Sequence, residues 1–163
     1  WIQTIATHYD NSTEIVLAYG PYQKEKGFLN TMIRYDTAMI AMQYLSYALA
    51  GMPYMGVGRN PSYSKSLFFK HKGFISHYGV ASGDDDLFIN QAATAKNTSI
   101  EVSPDSFVYS EPKHRWSEWF RQKKRHLSSS KKYKSLFKML LGGYHLSLAL
   151  FYLSLFSLLF VPA

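Results

Sequence analysis

Residues 139–161 (MLLGGYHLSLALFYLSLFSLLFV) run for 23 positions without a formal charge. As a helix rising 1.5 Å per residue, such a stretch reaches about 34 Å, enough for a bilayer hydrocarbon core of about 30 Å. A buried core helix of that length would show a polar face. Here Gly142, Gly143, His145 and three serines are too scattered to make one. The stretch is expected to cross a membrane or to embed deeply in it. Lying late in the chain, it is no signal peptide.

The residues before it hold most of the charge. Residues 113–138 contain ten of the 18 Lys and Arg and only one of the 11 acids, Glu118. That band therefore carries +9 of a net +7, and the rest of the chain sums to −2. A basic band meets phosphate, on nucleic acid or on a membrane surface. The apolar stretch that follows favours the membrane, and the positive-inside rule places this side in the cytoplasm. The absence of cysteine excludes disulfides and thiolate metal sites and fits a reducing compartment. The 163 residues give room for one modest domain and an appendage.

The chain opens on Trp1 with no Met and enters an amphipathic run at once, which points to a piece of a longer protein. Residues 14–19 (EIVLAY) read as a short buried strand closed by Gly20-Pro21. Residues 28–50 read as a long helix, apolar nearly all round and therefore buried, with Arg34, Asp36 and Gln43 as packing partners. Gly51 and Pro53 stop it. Residues 63–72 read as a short helix ending at Gly73. A helix is expected from Leu87 to about Asn97, then two short strands, 99–102 and 106–109, around a Pro104-Asp105 turn.

Three stretches carry chemistry. In Ser82-Gly83-Asp84-Asp85-Asp86-Leu87-Phe88, three carboxylates run into an apolar helical segment. At a helix N-terminus their charge meets unpaired N–H groups and the positive end of the macrodipole. Held so, a carboxylate stays ionised near neutral pH, as a general base or a cation ligand must be. One Asp suffices as a cap, and three suggest a site. In Gly56-Val57-Gly58-Arg59-Asn60, two glycines let backbone come close to a neighbouring strand or to a ligand. In residues 114–127, Trp116, Trp119, Phe120 and Leu127 share one helical face, and Gln122 and Arg125 lie together opposite it. Such a helix suits a membrane interface, with aromatics in lipid and Gln and Arg toward the protein.

In this order the segments resemble the second half of a membrane-anchored family-two glycosyltransferase, the group of the cellulose, hyaluronan and ceramide glucosyl transferases. Gly56-Val57-Gly58-Arg59-Asn60 looks like the family's acceptor segment, Gly83-Asp84-Asp85-Asp86 like its acidic TED-type motif, and Gln122-Lys123-Lys124-Arg125-His126 like its Q/R-x-x-R-W motif. His126 stands where the family has Trp. The chain begins just after the position of the family's DxD motif, so a nucleotide-binding half would precede it.

The resemblance implies an α/β fold, the acceptor-side half of a GT-A type nucleotide-diphospho-sugar transferase, over residues 1–112. An interface helix (113–130) and a transmembrane segment (131–163) follow. It implies inverting transfer of a sugar from a nucleotide-sugar to a glycan or lipid acceptor. Asp85 is the base, or Asp84 or Asp86 if the register slips by one. Gly56, Gly58, Arg59 and Asn60 shape the acceptor wall, Gln122 and Arg125 lie at the diphosphate or the donor–acceptor junction, and His126, in place of the Trp, stacks on or hydrogen-bonds the acceptor. A divalent metal (Mg²⁺ or Mn²⁺) is expected, with its ligands outside this chain, which alone is expected to be inactive. The implied location is a bacterial inner membrane, with the catalytic part cytoplasmic and lipid, not nucleic acid, as the partner. The competing class is a basic, membrane-tethered module that binds acidic lipid or nucleic acid without catalysis.

Overall fold

The computed structural model describes residues 1–10, 12–75 and 83–158. Ser82 of the acidic stretch and residues 159–161 of the apolar stretch lie outside them. Its centre is β1 (Ile15–Ala18), four residues that are all buried. A strand covered on both faces reads as a continuous apolar run, which is why IVLA shows no alternation. Its side chains nonetheless divide with the period of two: Ile15 and Leu17 enter the main core, whereas Val16 and Ala18 pack with Ile5 of α1 (Ile2–Ala6).

On one side β1 pairs antiparallel with β2 (Pro61–Tyr63), Ile15 opposite Tyr63. On the other it pairs parallel with β3 (Thr98–Glu101), Ile15 opposite Thr98. The mixed α/β architecture agrees with the sequence, but β2 does not. Tyr63 was expected to begin a helix and instead ends a strand. The helix is α3 (Lys65–Lys70), capped by Ser64, whose hydroxyl accepts the Leu67 N–H.

The long helix α2 (Phe28–Leu49) ends as expected. Gly51 (φ +75°) donates to the Ala48 carbonyl and Met52 to that of Tyr47, the paired bonds of a Schellman motif. It is not buried all round. Ile33, Thr37, Ala41, Tyr44 and Leu45 face the core, while Phe28, Tyr35, Met39, Met42 and Leu49 are exposed. Tyr44 donates to the Ala18 carbonyl at 2.8 Å, fastening α2 to the sheet.

The helix α4 (Asp84–Ala92) lays Leu87, Phe88, Ile89, Asn90 and Ala92 into the core. It stops short of the expected Asn97, whose side-chain oxygen takes the Thr94 N–H while its amide donates to Ala92. The second expected strand, 106–109, is absent. Pro104–Ser106 forms a 3-10 turn closed by Ser106 N–H to Ser103 and Phe107 N–H to Pro104, and only Ser110 pairs, in a single bridge with Tyr22. Pro104 has no N–H to give a ladder.

Two helices close the chain: α5 (Trp116–Ser130) and α6 (Ser135–Leu158). Over its 24 residues α6 is long and apolar enough to cross a membrane, and its most apolar window is wholly unburied by protein. Phe137 at its root is buried in the core.

Candidate functional site

Gly83 adopts φ +88° and caps α4. A left-handed residue there favours glycine, and space demands it as well, since a Cβ would lie 2.4 Å from that of Ser129 on α5. The three acids of the first turn then diverge. Asp84 is exposed. Asp85, half-buried, turns to the Gly58 loop, where a Cβ on Gly58 would stand 2.3 Å from its Oδ2. Asp86 turns inward, where its Oδ2 accepts from the hydroxyls of Tyr133 at 3.3 Å and Ser129 at 3.4 Å.

Their electrostatics differ accordingly. Burial pushes Asp85 up and the charge of Asp84 adds to this, against the pull of the backbone N–H groups of Asp85, Asp86 and Gly58. At Asp86 burial, followed by the charge of Asp85, raises the carboxyl to about 7, with Tyr133 and Ser129 opposing. The helix terminus therefore does not keep the whole triplet ionised at neutral pH, because desolvation outweighs it at Asp86. The folded state holds a proton here that the unfolded chain releases near pH 4. Asp86 thus contributes stability that is fully present below about pH 4 and lost as pH rises toward 7.

The two glycines of the Gly-x-Gly stretch do different work. Gly56 is buried against Leu17 and Ile89, with 3.0 and 3.3 Å left for a Cβ, so its close approach is to the sheet and α4. Gly58 is exposed and approaches Asp85. The Arg59 Nε donates to the Gly20 carbonyl at 3.1 Å, and its guanidinium lies over the Tyr22 ring, 4.3 Å from the centroid. Asn60 is buried. Its amide donates to the carbonyls of Tyr19 and Ser106, both at 2.8 Å, and its oxygen accepts from Trp1 Nε1 at 2.7 Å. It braces the loop from inside.

Across from this loop lies α5. Gln122 Nε2 donates to the Tyr22 hydroxyl at 3.1 Å, so one tyrosine joins the Gln-x-x-Arg helix to Arg59. Lys123 pairs with Asp36 of α2. Arg125 is exposed, and among the described residues its guanidinium has no polar partner. Partial desolvation foremost, then the cations Arg125, Lys123 and Arg59, hold His126 below the usual imidazole range. A neutral imidazole can accept a hydrogen bond. The aromatic face is open to the outside, with Trp116 at 41%, Phe120 at 59% and Leu127 at 67% exposure.

The structure thus brings Gly58 to Asp85, and Gln122 to Arg59 through Tyr22, while Gly56 and Asn60 lie in the framework. Three participants went unread in the sequence: Tyr22, Ser129 and Tyr133. Tyr22 follows a Gly-Pro stop and looks like loop. Ser129 sits inside a serine run. Tyr133 is the one aromatic in Lys131-Lys132-Tyr133-Lys134, a contrast present in the sequence, but its partner is 47 residues away.

Among the described residues no group of three His, Cys, Asp or Glu is placed to hold a metal ion. The triplet does not fit one, because its carboxylates point apart. A sequence model of the family described as Glycosyl transferase family group 2 matches residues 2–163. Neither the curated proteins nor the solved structures yield a match.

Proposed function

The chain belongs to glycosyl transferase family group 2, and from that premise we propose that its full-length protein transfers a hexosyl group from a nucleotide-sugar to a glycan or lipid hydroxyl, with inversion, at the cytoplasmic face of a membrane. The observation that carries the reading is the approach of Asp85 to Gly58. The carboxylate takes the space a side chain at 58 would fill and lies against the exposed Gly58 backbone, where an acceptor hydroxyl bound at that loop would meet it. Asp85 takes the hydroxyl proton as the oxygen attacks the anomeric carbon. The bond from that carbon to the phosphate oxygen breaks, and the nucleoside diphosphate leaves with the electron pair. Asp86 is the weaker candidate for this base, because it faces Tyr133 and Ser129. Asp84 is weaker still, being exposed and without the loop.

Charge develops on the departing diphosphate, and Arg125, exposed on α5, is the cation assigned to meet it. A guanidinium with unspent donors suits phosphate oxygens. Gln122 and Arg59, tied through Tyr22, line the path between donor and acceptor. His126, neutral, is assigned to the acceptor in place of an indole. The divalent cation expected for this class would draw its ligands from outside residues 1–163, and none of the steps assigned to these residues runs through it. For the same reason the 163-residue piece alone is not expected to transfer sugar.

The test is Asp85→Asn in the full-length protein. Asn is nearly isosteric and serves a helix N-terminus about as well as Asp, so fold and nucleotide affinity should persist. Loss of a general base should lower turnover by roughly 10²–10⁴. Turnover near the parental rate would remove Asp85 from the chemistry.

A further inference from the structure

Where α5 turns into α6, the chain makes an elbow that docks on α4 at three points. Gly83 lies against Ser129, Asp86 meets Ser129 and Tyr133, and the Asn90 side-chain oxygen accepts the backbone N–H of Lys134 at 3.1 Å. The Tyr133 ring is 5% exposed and packs edge-on to Tyr54 at 5.9 Å, which in turn lies 5.7 Å from Phe137 at the root of α6. Asn90 closes the circuit by donating to the Tyr54 carbonyl at 2.8 Å.

The hydroxyl protons in this cluster can be assigned. Ser129 has one, and its nearer acceptor is the His126 carbonyl at 2.7 Å, against 3.4 Å to Asp86. Tyr133 also has one, with Asp86 at 3.3 Å and the weakly accepting Met55 sulfur at 3.9 Å. Tyr133 is therefore the donor on which an ionised Asp86 depends. The titratable groups acting on Asp86 are Asp84 and Asp85 of its own helix, Tyr44 of α2, Tyr54 of the following loop and Tyr133 of the elbow. Burial raises all three tyrosines further, so they stay neutral, and among the described residues no Lys, Arg or His forms an ion pair with the carboxylate.

We infer that Tyr133 is a positioning residue for the transfer reaction: by holding Asp86 it fixes the first turn of α4, and so aims Asp85 at the Gly58 loop. This rests on the reading of Asp85 as the base. Asp85 and Asp86 are consecutive on one helical turn, so a rotation that frees Asp86 from the elbow swings Asp85 away from Gly58. The elbow is also the root of the apolar helix. The seat of that helix thereby sets the aim of the base, and the site is assembled only when α6 is in its place.

The experiment compares parent, Tyr133→Phe, Ser129→Ala, Asp86→Asn and the Tyr133→Phe/Asp86→Asn double variant, all full-length and in membranes. The carboxyl stretch of Asp86, assigned as the infrared band lost in Asp86→Asn, is followed against pH beside kcat and KM for the nucleotide-sugar. Phe keeps the ring packing and removes only the hydroxyl. In Tyr133→Phe the Asp86 midpoint should move up by about one pH unit, the worth of one hydrogen bond to a charged group. Ser129→Ala should move it less. kcat should fall roughly ten- to a hundredfold with KM unchanged, as for a misaimed group. In the Asp86→Asn background the same change should cost little more. A midpoint and kcat equal to the parent's in Tyr133→Phe would overturn the proposal, as would a larger shift in Ser129→Ala. A midpoint that moves in a protein transferring no sugar would refute the transfer reading and with it the role in aiming a base, while the hydrogen bond itself would stand.

Discussion

A methyl group added at position 58 would stand 2.3 Å from Asp85 Oδ2 and 2.8 Å from its Cγ. Since Gly58 has no left-handed φ, alanine fits the backbone, and the carboxylate is the group that must move. Gly58→Ala in the full-length protein should therefore leave the thermal midpoint within a few degrees and lower kcat by about tenfold or more, because a misplaced base loses its near-attack geometry. Parallel melting and turnover curves decide it. A large melting shift with normal turnover per folded molecule would make Gly58 structural. Gly56 is the internal contrast. Its neighbours are Leu17 and Ile89, so alanine there strains the core and should act on stability. The Gly-x-Gly spacing made a close approach legible in the sequence; that one glycine meets the sheet and the other the acid was not, since both partners come from elsewhere in the chain.

Among the elements, α4 depends on one joint. Gly83→Ala adds a left-handed penalty of about 1–2 kcal/mol and a Cβ 2.4 Å from that of Ser129, contact that an overpacked site relieves only by shifting. Denaturant unfolding should show a loss of about 2 kcal/mol or more, and adding Ser129→Gly should recover the packing part while leaving the backbone part. No recovery would mean the cost is all dihedral and the helices do not bear on each other there. The elements read correctly were those whose own sequence decides them: a continuous apolar strand at β1, a long helix with a glycine stop at α2, an amphipathic α5 and an apolar α6. Those misread are decided by neighbours. Pro61–Tyr63 becomes a strand because β1 offers it a ladder, and 106–109 fails to be one because the edge beyond Glu101 is turned away by Pro104–Ser106. The exposed stripe of α2 was invisible too, since a helix apolar all round does not say which face the fold will leave open.

For the molecule as a whole, charge and apolarity are arranged along one line. The aromatic face of α5 is open, the basic residues 113–138 flank it, and α6 continues from the elbow with Leu146, Leu150, Phe151, Leu153 and Phe156 all exposed. Water does not tolerate so much apolar surface on one helix, whereas a bilayer does, and Lys and Arg beside anionic lipid each contribute about 1 kcal/mol. On this arrangement we expect the basic band on the cytoplasmic side with α6 inserted. A single cysteine tests this cleanly in a chain that has none over these residues, but its position matters. Ser129 is fully buried against Gly83 and would resist a reagent on either side of the membrane. Ser128, one residue earlier, is exposed. Ser128→Cys in the full-length protein, provided any cysteine elsewhere in it is replaced, should stay unlabelled by a membrane-impermeant maleimide in intact cells and label readily once the membrane is opened. Equal labelling before and after opening would place the band outside and reverse the topology, and with it the cytoplasmic site proposed for the transfer.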